Sequence, residues 1–241
     1  MSRILKAAVL AVGAMAAMSS VLASAAQAET GALTTAGFPS IVTGEQLGGV
    51  TFDVGAAPIR TIACATSDLE ATLVGPTDPV TFRPNYAGCN SEPGGATPVT
   101  VTLNGCDYTI GFSKPGTTGQ PATTGAMHAW INCPVGQVIE IHVYANAFAH
   151  AENISTCTYD IGAQGPVPAG IYHNTFGAVN DVDATVNAKF TARSTIGAGG
   201  EICGGDPITQ HLPITLTGNY TLRAFQDFGG VEGAQIGVDV G

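Results

Sequence analysis

The chain reads as an all-β protein, an antiparallel β-sandwich of about a dozen strands, and three observations predict it. Apolar and polar residues alternate with a period of two over long stretches, which on a pleated strand puts one set on each face. The breaks between these stretches carry Gly, Pro and Asn turn chemistry. Only 11% of the 241 residues are charged while glycine alone numbers 32, a composition of strands and turns rather than of surface helices.

Taken in order, residues 1–28 form a secretory signal peptide. Arg3 and Lys6 give the charged start, Ala7 to Met18 the apolar core and Ala26-Gln27-Ala28 the small-x-small cleavage site. The apolar run breaks at Ser19-Ser20, short of the roughly 20 residues that span a bilayer. Cleavage before Glu29 leaves 213 residues, enough for one large all-β domain or two packed sandwiches, and moves the net charge from −10 to −12. The six remaining basic residues are scattered, which disfavours nucleic acid and anionic membrane surfaces as partners. With no further long apolar stretch, the mature chain is expected to be secreted and not inserted in a membrane, with a cell-surface or protein partner left open.

Residues 29–49 have weak periodicity and read as a flexible lead or an edge strand. The β-sandwich region, stapled by disulfides, runs over 50–241. Its shorter alternating runs are Val50-Val54, Ile59-Cys64, Leu69-Val74, Val80-Tyr86, Val99-Leu103, Tyr108-Phe112, Ala126-Cys133, Gln137-Ala145, Thr156-Ile161, Gly170-Phe176 and Ala234-Val240. Asn104-Gly105 predicts a two-residue hairpin, because both central residues of that turn need positive φ. Pro115-Thr124 is the candidate boundary (115–124) if there are two domains. Pro134-Val135-Gly136 predicts a second, three-residue hairpin. From Asp181 to Arg193 the set Val182, Ala184, Val186, Ala188, Phe190 and Ala192 falls on one face; from Leu212 to Gln226 the set is Ile214, Leu216, Tyr220, Leu222 and Ala224. Each is a long strand buried on one side.

Six cysteines follow the signal, and in an exported chain they predict disulfides. Topology suggests Cys89 with Cys106, closing a loop around the first hairpin that contributes roughly 3 kcal/mol in the chain-entropy model. Cys133 and Cys157 both fall on inward faces and pair next, which leaves Cys64 with Cys203. The alternative, a metal site, lacks any C-x-x-C or zinc-ribbon spacing.

Catalytic motifs are missing: the chain has no G-x-S-x-G, S-x-x-K or H-E-x-x-H. Gly111-Phe-Ser-Lys-Pro115 is the nearest miss and reads as a strand-end serine. Asn180, Asp181 and Asp183 resemble part of a calcium loop, but no Glu closes the frame and the segment continues as a strand. No cofactor is expected. One constellation stands out. A hairpin at Pro134-Gly136 sets His128 opposite His142 and Trp130 opposite Glu140, with Tyr144 beside them, all on the outward face. Opposed Cβ atoms lie about 4.5–5.5 Å apart, so His128, His142 and Glu140 are candidate metal ligands and the five residues a candidate ligand face. Ordinary cross-strand pairs on an exposed sheet give the same pattern without a ligand.

The runs Tyr86-Ala-Gly-Cys89, Val99-Thr-Val-Thr-Leu-Asn-Gly-Cys-Asp-Tyr108, Cys133-Pro-Val-Gly-Gln-Val-Ile-Glu-Ile141 and Cys157-Thr-Tyr-Asp-Ile161 resemble a set of uncharacterised secreted β-rich proteins of high-GC Gram-positive bacteria. The resemblance spans most of the mature chain and departs in Asn146-Ser155. It implies export and a disulfide-containing β fold but no activity. Three functions follow from the sequence: a secreted non-enzymatic binding or structural protein, a secreted enzyme with a site assembled from distant loops, and a self-assembling surface subunit. A pocket of convergent polar groups favours the second, and an unpaired edge strand the third.

Overall fold

The computed structural model describes residues 30–55, 60–77, 79–92, 97–117, 119–152, 154–177, 180–196, 211–226, 235–236 and 238–241. Residues 1–28, read above as a signal peptide, and Cys203 lie outside them. Two short strands lead in, β1 (Thr30–Gly31) and β2 (Leu33–Thr35). They are followed by β3 (Ser40–Gln46), β4 (Val50–Val54), β5 (Arg60–Leu73), β6 (Val80–Glu92), β7 (Thr97–Thr102), β8 (Asp107–Ser113), β9 (Thr124–Asn132) and β10 (Ile139–Tyr144). A one-turn helix, α1 (Ala147–Ala151), precedes β11 (Ser155–Ile161), β12 (Gln164–Thr175), β13 (Asp181–Ile196), β14 (Leu212–Phe225), β15 (Gln235–Ile236) and β16 (Val238–Val240).

Register shows how these strands are arranged. One side of β6 meets β8 at Phe82↔Tyr108 and β7 at Ser91↔Thr97, so β7 and β8 lie end to end as one interrupted strand. One side of β13 meets β12 through Asp181–Val186 and β11 through Arg193–Ile196. β5 likewise meets β4 near Cys64 and β3 near Leu69, and β9 and β10 continue one another between the same neighbours. Taking each end-to-end pair as one stave, the ladder runs β3/β4, β5, β6, β7/β8, β9/β10, β11/β12, β13 and β14. It then returns to β3/β4. Every stave pairs antiparallel with its neighbours in the chain, and the circuit makes one sheet closed round on itself. Closure removes the unpaired edges along this circuit.

The alternation of the sequence decides which face turns inward. Val182, Ala184, Ala188, Phe190 and Ala192 of β13 and Ile214, Leu216, Tyr220, Leu222 and Ala224 of β14 are buried, and the two strands pair without a break from Val182↔Leu222 to Ala192↔Leu212. Phe52, Phe82, Phe112, Tyr159 and Tyr172 fill the interior with them. Thr185, Asn187, Lys189 and Asn219 face outward. Apolar-in and polar-out is the reverse of what a lipid-embedded barrel needs. Among the interior groups, the Tyr220 hydroxyl donates to Ser67 Oγ at 2.9 Å, and the phenols of Tyr86 and Tyr108 lie near it and each other. Burial pushes the Tyr108 and Tyr220 phenols up to about 12 and raises that of Tyr86 well above its ordinary value. They act as neutral hydrogen-bonding groups at physiological pH.

Between β12 and β13 the wall parts. β12 joins β13 only from Gly170 onward and β11 leaves it at Arg193; Pro166 and Pro168 in the interval have no N–H to offer a ladder. The side chain of Gln164 mends the gap by imitating a strand backbone, its Nε2 donating to Thr191 O at 2.8 Å and its Oε1 accepting from Thr191 N–H at 2.8 Å. Gln164→Leu is expected to lower stability by about 1 kcal/mol, because water replaces two exposed hydrogen bonds. The urea midpoint should fall, with faster amide exchange at Thr191.

Four expectations need correction. The turns at Asn104-Gly105 and Pro134-Gly136 form, with φ of 51° and 79° at Asn104 and Gly105 and i→i+3 bonds Cys106 N–H to Leu103 O and Gln137 N–H to Pro134 O. Neither is a hairpin, because β7 pairs with β10 and β8 with β9. The disulfides are Cys64–Cys89 and Cys106–Cys133 rather than Cys89–Cys106, Cys133–Cys157 and Cys64–Cys203. Cys64 directly opposes Cys89 in the β5–β6 ladder, and Cys106 and Cys133 extend the β8–β9 ladder one step past Asp107↔Asn132. Lateral adjacency, not enclosure of a turn, chose the partners. Cys157 is disulfide-bonded as well, and the bridges belong to an oxidising environment.

The supposed lead also has structure: β3 pairs with both β14 and β5 and is therefore not an edge. β2 and β16 form a small ribbon that buries Leu33 and Val240 in the same core. Finally, the loop at Pro115-Thr124 joins β8 to β9, which pair directly, so it does not separate two domains.

Candidate functional site

Because β9 and β10 run end to end, the five-residue outward patch is divided between two halves of the barrel. His128 sits between Gly111 of β8 and Pro168 of β12, and Trp130 opposes Thr109. His142 sits between Thr100 of β7 and Thr158 of β11. All five residues keep the outward parity expected of them, but His128 and His142 do not oppose each other. Among the described residues no three His, Cys, Asp or Glu side chains are grouped to hold a metal ion. The fold does not set His128 beside His142 as the hairpin would have done.

What the fold brings together is Glu140, His142 and Tyr144 with two charged residues from neighbouring strands. Glu140 directly opposes Asp160 of β11, and Asp160 in turn opposes Arg193 of β13. His142 Nε2 stands 3.4 Å from Glu140 Oε2 and its Nδ1 3.3 Å from Thr158 Oγ1. Tyr144 is outward by parity yet buried, because α1 folds over it. The His150 ring meets it edge-on at 4.8 Å, His142 stacks beside it at 6.4 Å, and its hydroxyl lies 3.0 Å from Thr100 Oγ1. Asn146 starts α1 by accepting the Ala149 N–H at 2.9 Å, the usual N-cap bond. Phe148 stays exposed on the helix.

Below this face, at the gap in the wall, lies an open depression of about 500 Å³ lined by Val138, Asp160, Gln164, Thr191, Arg193 and His211. A second of about 540 Å³ surrounds the exposed Arg83–Asp107 pair, joined through two hydrogen bonds of 2.7 and 3.1 Å. The near-motif serine, Ser113, is occupied structurally: its Oγ accepts the Ala126 N–H at 2.7 Å and donates to Ala126 O at 3.1 Å. Asp183 accepts from Thr221 Oγ1 at 2.7 Å and Asp181 faces Arg223, so both aspartates serve cross-strand pairs with β14.

Asp160 is the residue the motif search missed. Its outward parity was readable, since Cys157, Tyr159 and Ile161 point inward, but its partners come from other strands. Burial, then the nearby Glu140 carboxylate, raises its carboxyl, against the opposing pull of Arg193 and His142. A folded pKa above the unfolded one favours folding below the unfolded value and loses that contribution as pH rises through the folded value. Ionised Asp160 therefore costs stability at neutral pH. Asp160→Asn is expected to be neutral to stabilising at pH 7, by at most about 1 kcal/mol because solvent still screens a half-buried group, with the gain vanishing near pH 3.5. Thermal melts of both proteins across that range check it.

No family model, no curated protein and no solved structure matches the chain.

Proposed function

We propose that the protein is exported and works outside the cell or at its surface as a non-enzymatic binding protein, using the outer face around Glu140, His142, Asp160 and Arg193. The observation that carries this reading is the direct opposition of Glu140 and Asp160 on a partly exposed outer face. Like charges placed directly opposite on a sheet are unfavourable, and a residue kept at a cost to stability fits a surface under functional selection. The barrel interior, by contrast, is taken up by its own side chains. Export accords with the signal sequence, the formed bridges and the resemblance to secreted β-rich proteins of high-GC Gram-positive bacteria.

The test expresses the full chain in a secreting bacterial host, identifies the mature N-terminus and its compartment, and mixes the purified protein with intact cells and envelope fragments. Wild type should sediment with them, and a Glu140→Gln, Asp160→Asn, Arg193→Gln variant should remain in the supernatant. Equal partition of the two proteins would overturn the role of this face, and retention inside the cell would overturn export. A second reading, a hydrolase, draws on one observation: Asp160 and His142 stand close together on the adjacent strands β11 and β10, a carboxylate and an imidazole of the kind general acid–base catalysis uses. Turnover of chromogenic esters or glycosides that Asp160→Asn abolishes would select it instead.

A further inference from the structure

The two described bridges differ in exposure. Cys64 and Cys89 are both buried, with 1% and 7% of their surface exposed. Cys64 lies on the inward face of β5 with Ile62. In the other bridge Cys106 is fully buried but Cys133 is only partly buried, and it leads directly into the exposed turn Pro134-Val135-Gly136-Gln137. Thiol–disulfide exchange needs a thiolate to reach one sulfur. Of the two described bridges, only the second has a cysteine that is partly exposed in the closed barrel.

Position gives that bridge leverage. It joins the two mid-barrel turns that interrupt neighbouring staves, alongside the bond from Asn104 Nδ2 to Val138 O at 3.0 Å. Leu103 and Asp107, on either side of Cys106, line the depression at Arg83. Val138, beyond the other turn, lines the depression at Asp160 and Arg193. We propose that Cys106–Cys133 is a reducible latch at the waist of the barrel, opened by a dithiol while Cys64–Cys89 stays closed, and that it sets the shape of both depressions. In the first step a thiolate of the dithiol attacks Cys133 Sγ; a mixed disulfide forms, and the electron pair of the broken bond leaves on Cys106 Sγ, which takes a proton. The second thiol of the reductant then closes on its own sulfur and releases Cys133. The net change is two electrons and two protons to the protein, with the reductant oxidised to its cyclic disulfide.

The experiment treats the native mature protein with graded dithiothreitol, quenches with iodoacetamide and maps the labelled peptides. Cys106 and Cys133 should be labelled at least tenfold faster than Cys64 and Cys89, with the β-type circular dichroism retained. Hydrogen exchange on the partly reduced protein should quicken at Leu103–Asp107 and Pro134–Val138 and remain unchanged along β5. Simultaneous labelling of Cys64, Cys89, Cys106 and Cys133, earlier labelling of Cys64 and Cys89, or unchanged exchange at both turns would each overturn the latch.

Discussion

Phe190→Asp is expected to leave no folded protein. Phe190 is 3% exposed inside the barrel and meets the Tyr108 ring edge-on with centroids 6.1 Å apart. Losing a buried aromatic costs about 3–5 kcal/mol, and a carboxylate placed there without a partner adds several more unless it takes up a proton. Together these reach the whole stability of a typical domain, about 5–15 kcal/mol. Thr185→Asp, on the same strand but exposed, should move stability by no more than about 0.5 kcal/mol. Far-UV circular dichroism and size-exclusion chromatography on both variants check the pair. A folded Phe190→Asp protein would mean that β13 does not present this residue to the core.

The faces of β13 and β14 were readable because a period-two pattern states directly which side chains share a side, and burial keeps that statement true whatever the neighbouring strand is. Which strand lies alongside is a different matter. The inward set Met127, Ala129 and Ile131 and the inward set Ile139, Ile141 and Val143 satisfy the same core whether β9 and β10 run side by side or end to end, so parity could not place His128 relative to His142. The turn chemistry at Pro134-Gly136 was also insufficient, since an i→i+3 bond fixes four residues and leaves their flanks to find partners elsewhere. The cysteines failed for the same reason. Their partners are lateral neighbours, Cys64↔Cys89 in the β5–β6 ladder, and lateral adjacency leaves no local mark in a sequence. β3 read only as a flexible lead or an edge strand for another cause: one of its inward positions is Gly44, where a Cβ would stand 3.0 Å from that of Leu69, so close packing demanded a residue that erases the alternation.

Gly170→Ala is expected to be the most damaging of the conservative substitutions, for reasons that only the three-dimensional arrangement exposes. At this point β12 rejoins β13 after the gap, Gly170 opposing Val186 just where the β9 register shifts between Pro168 and Gly170. The backbone takes φ +115° there, and a Cβ would lie 2.0 Å from Thr185 O and 3.1 Å from Asn187 N. Both are main-chain atoms of a strand held on its far side by β14, so no flexible side chain can swing away. Strain at such a φ costs about 1–3 kcal/mol and forced overpacking about 1–3 kcal/mol more, for an expected loss of roughly 2–6 kcal/mol. Gly162→Ala is the matched control: it lies in the same interrupted stave, nothing stands within 4 Å of its added Cβ, and its φ is ordinary. That change should be neutral or stabilise slightly by restricting the unfolded chain. Urea unfolding of the two variants beside wild type measures the contrast. A midpoint for Gly170→Ala equal to that of Gly162→Ala would mean that β12 does not close onto β13 at this residue, and that the wall stays open beyond the gap.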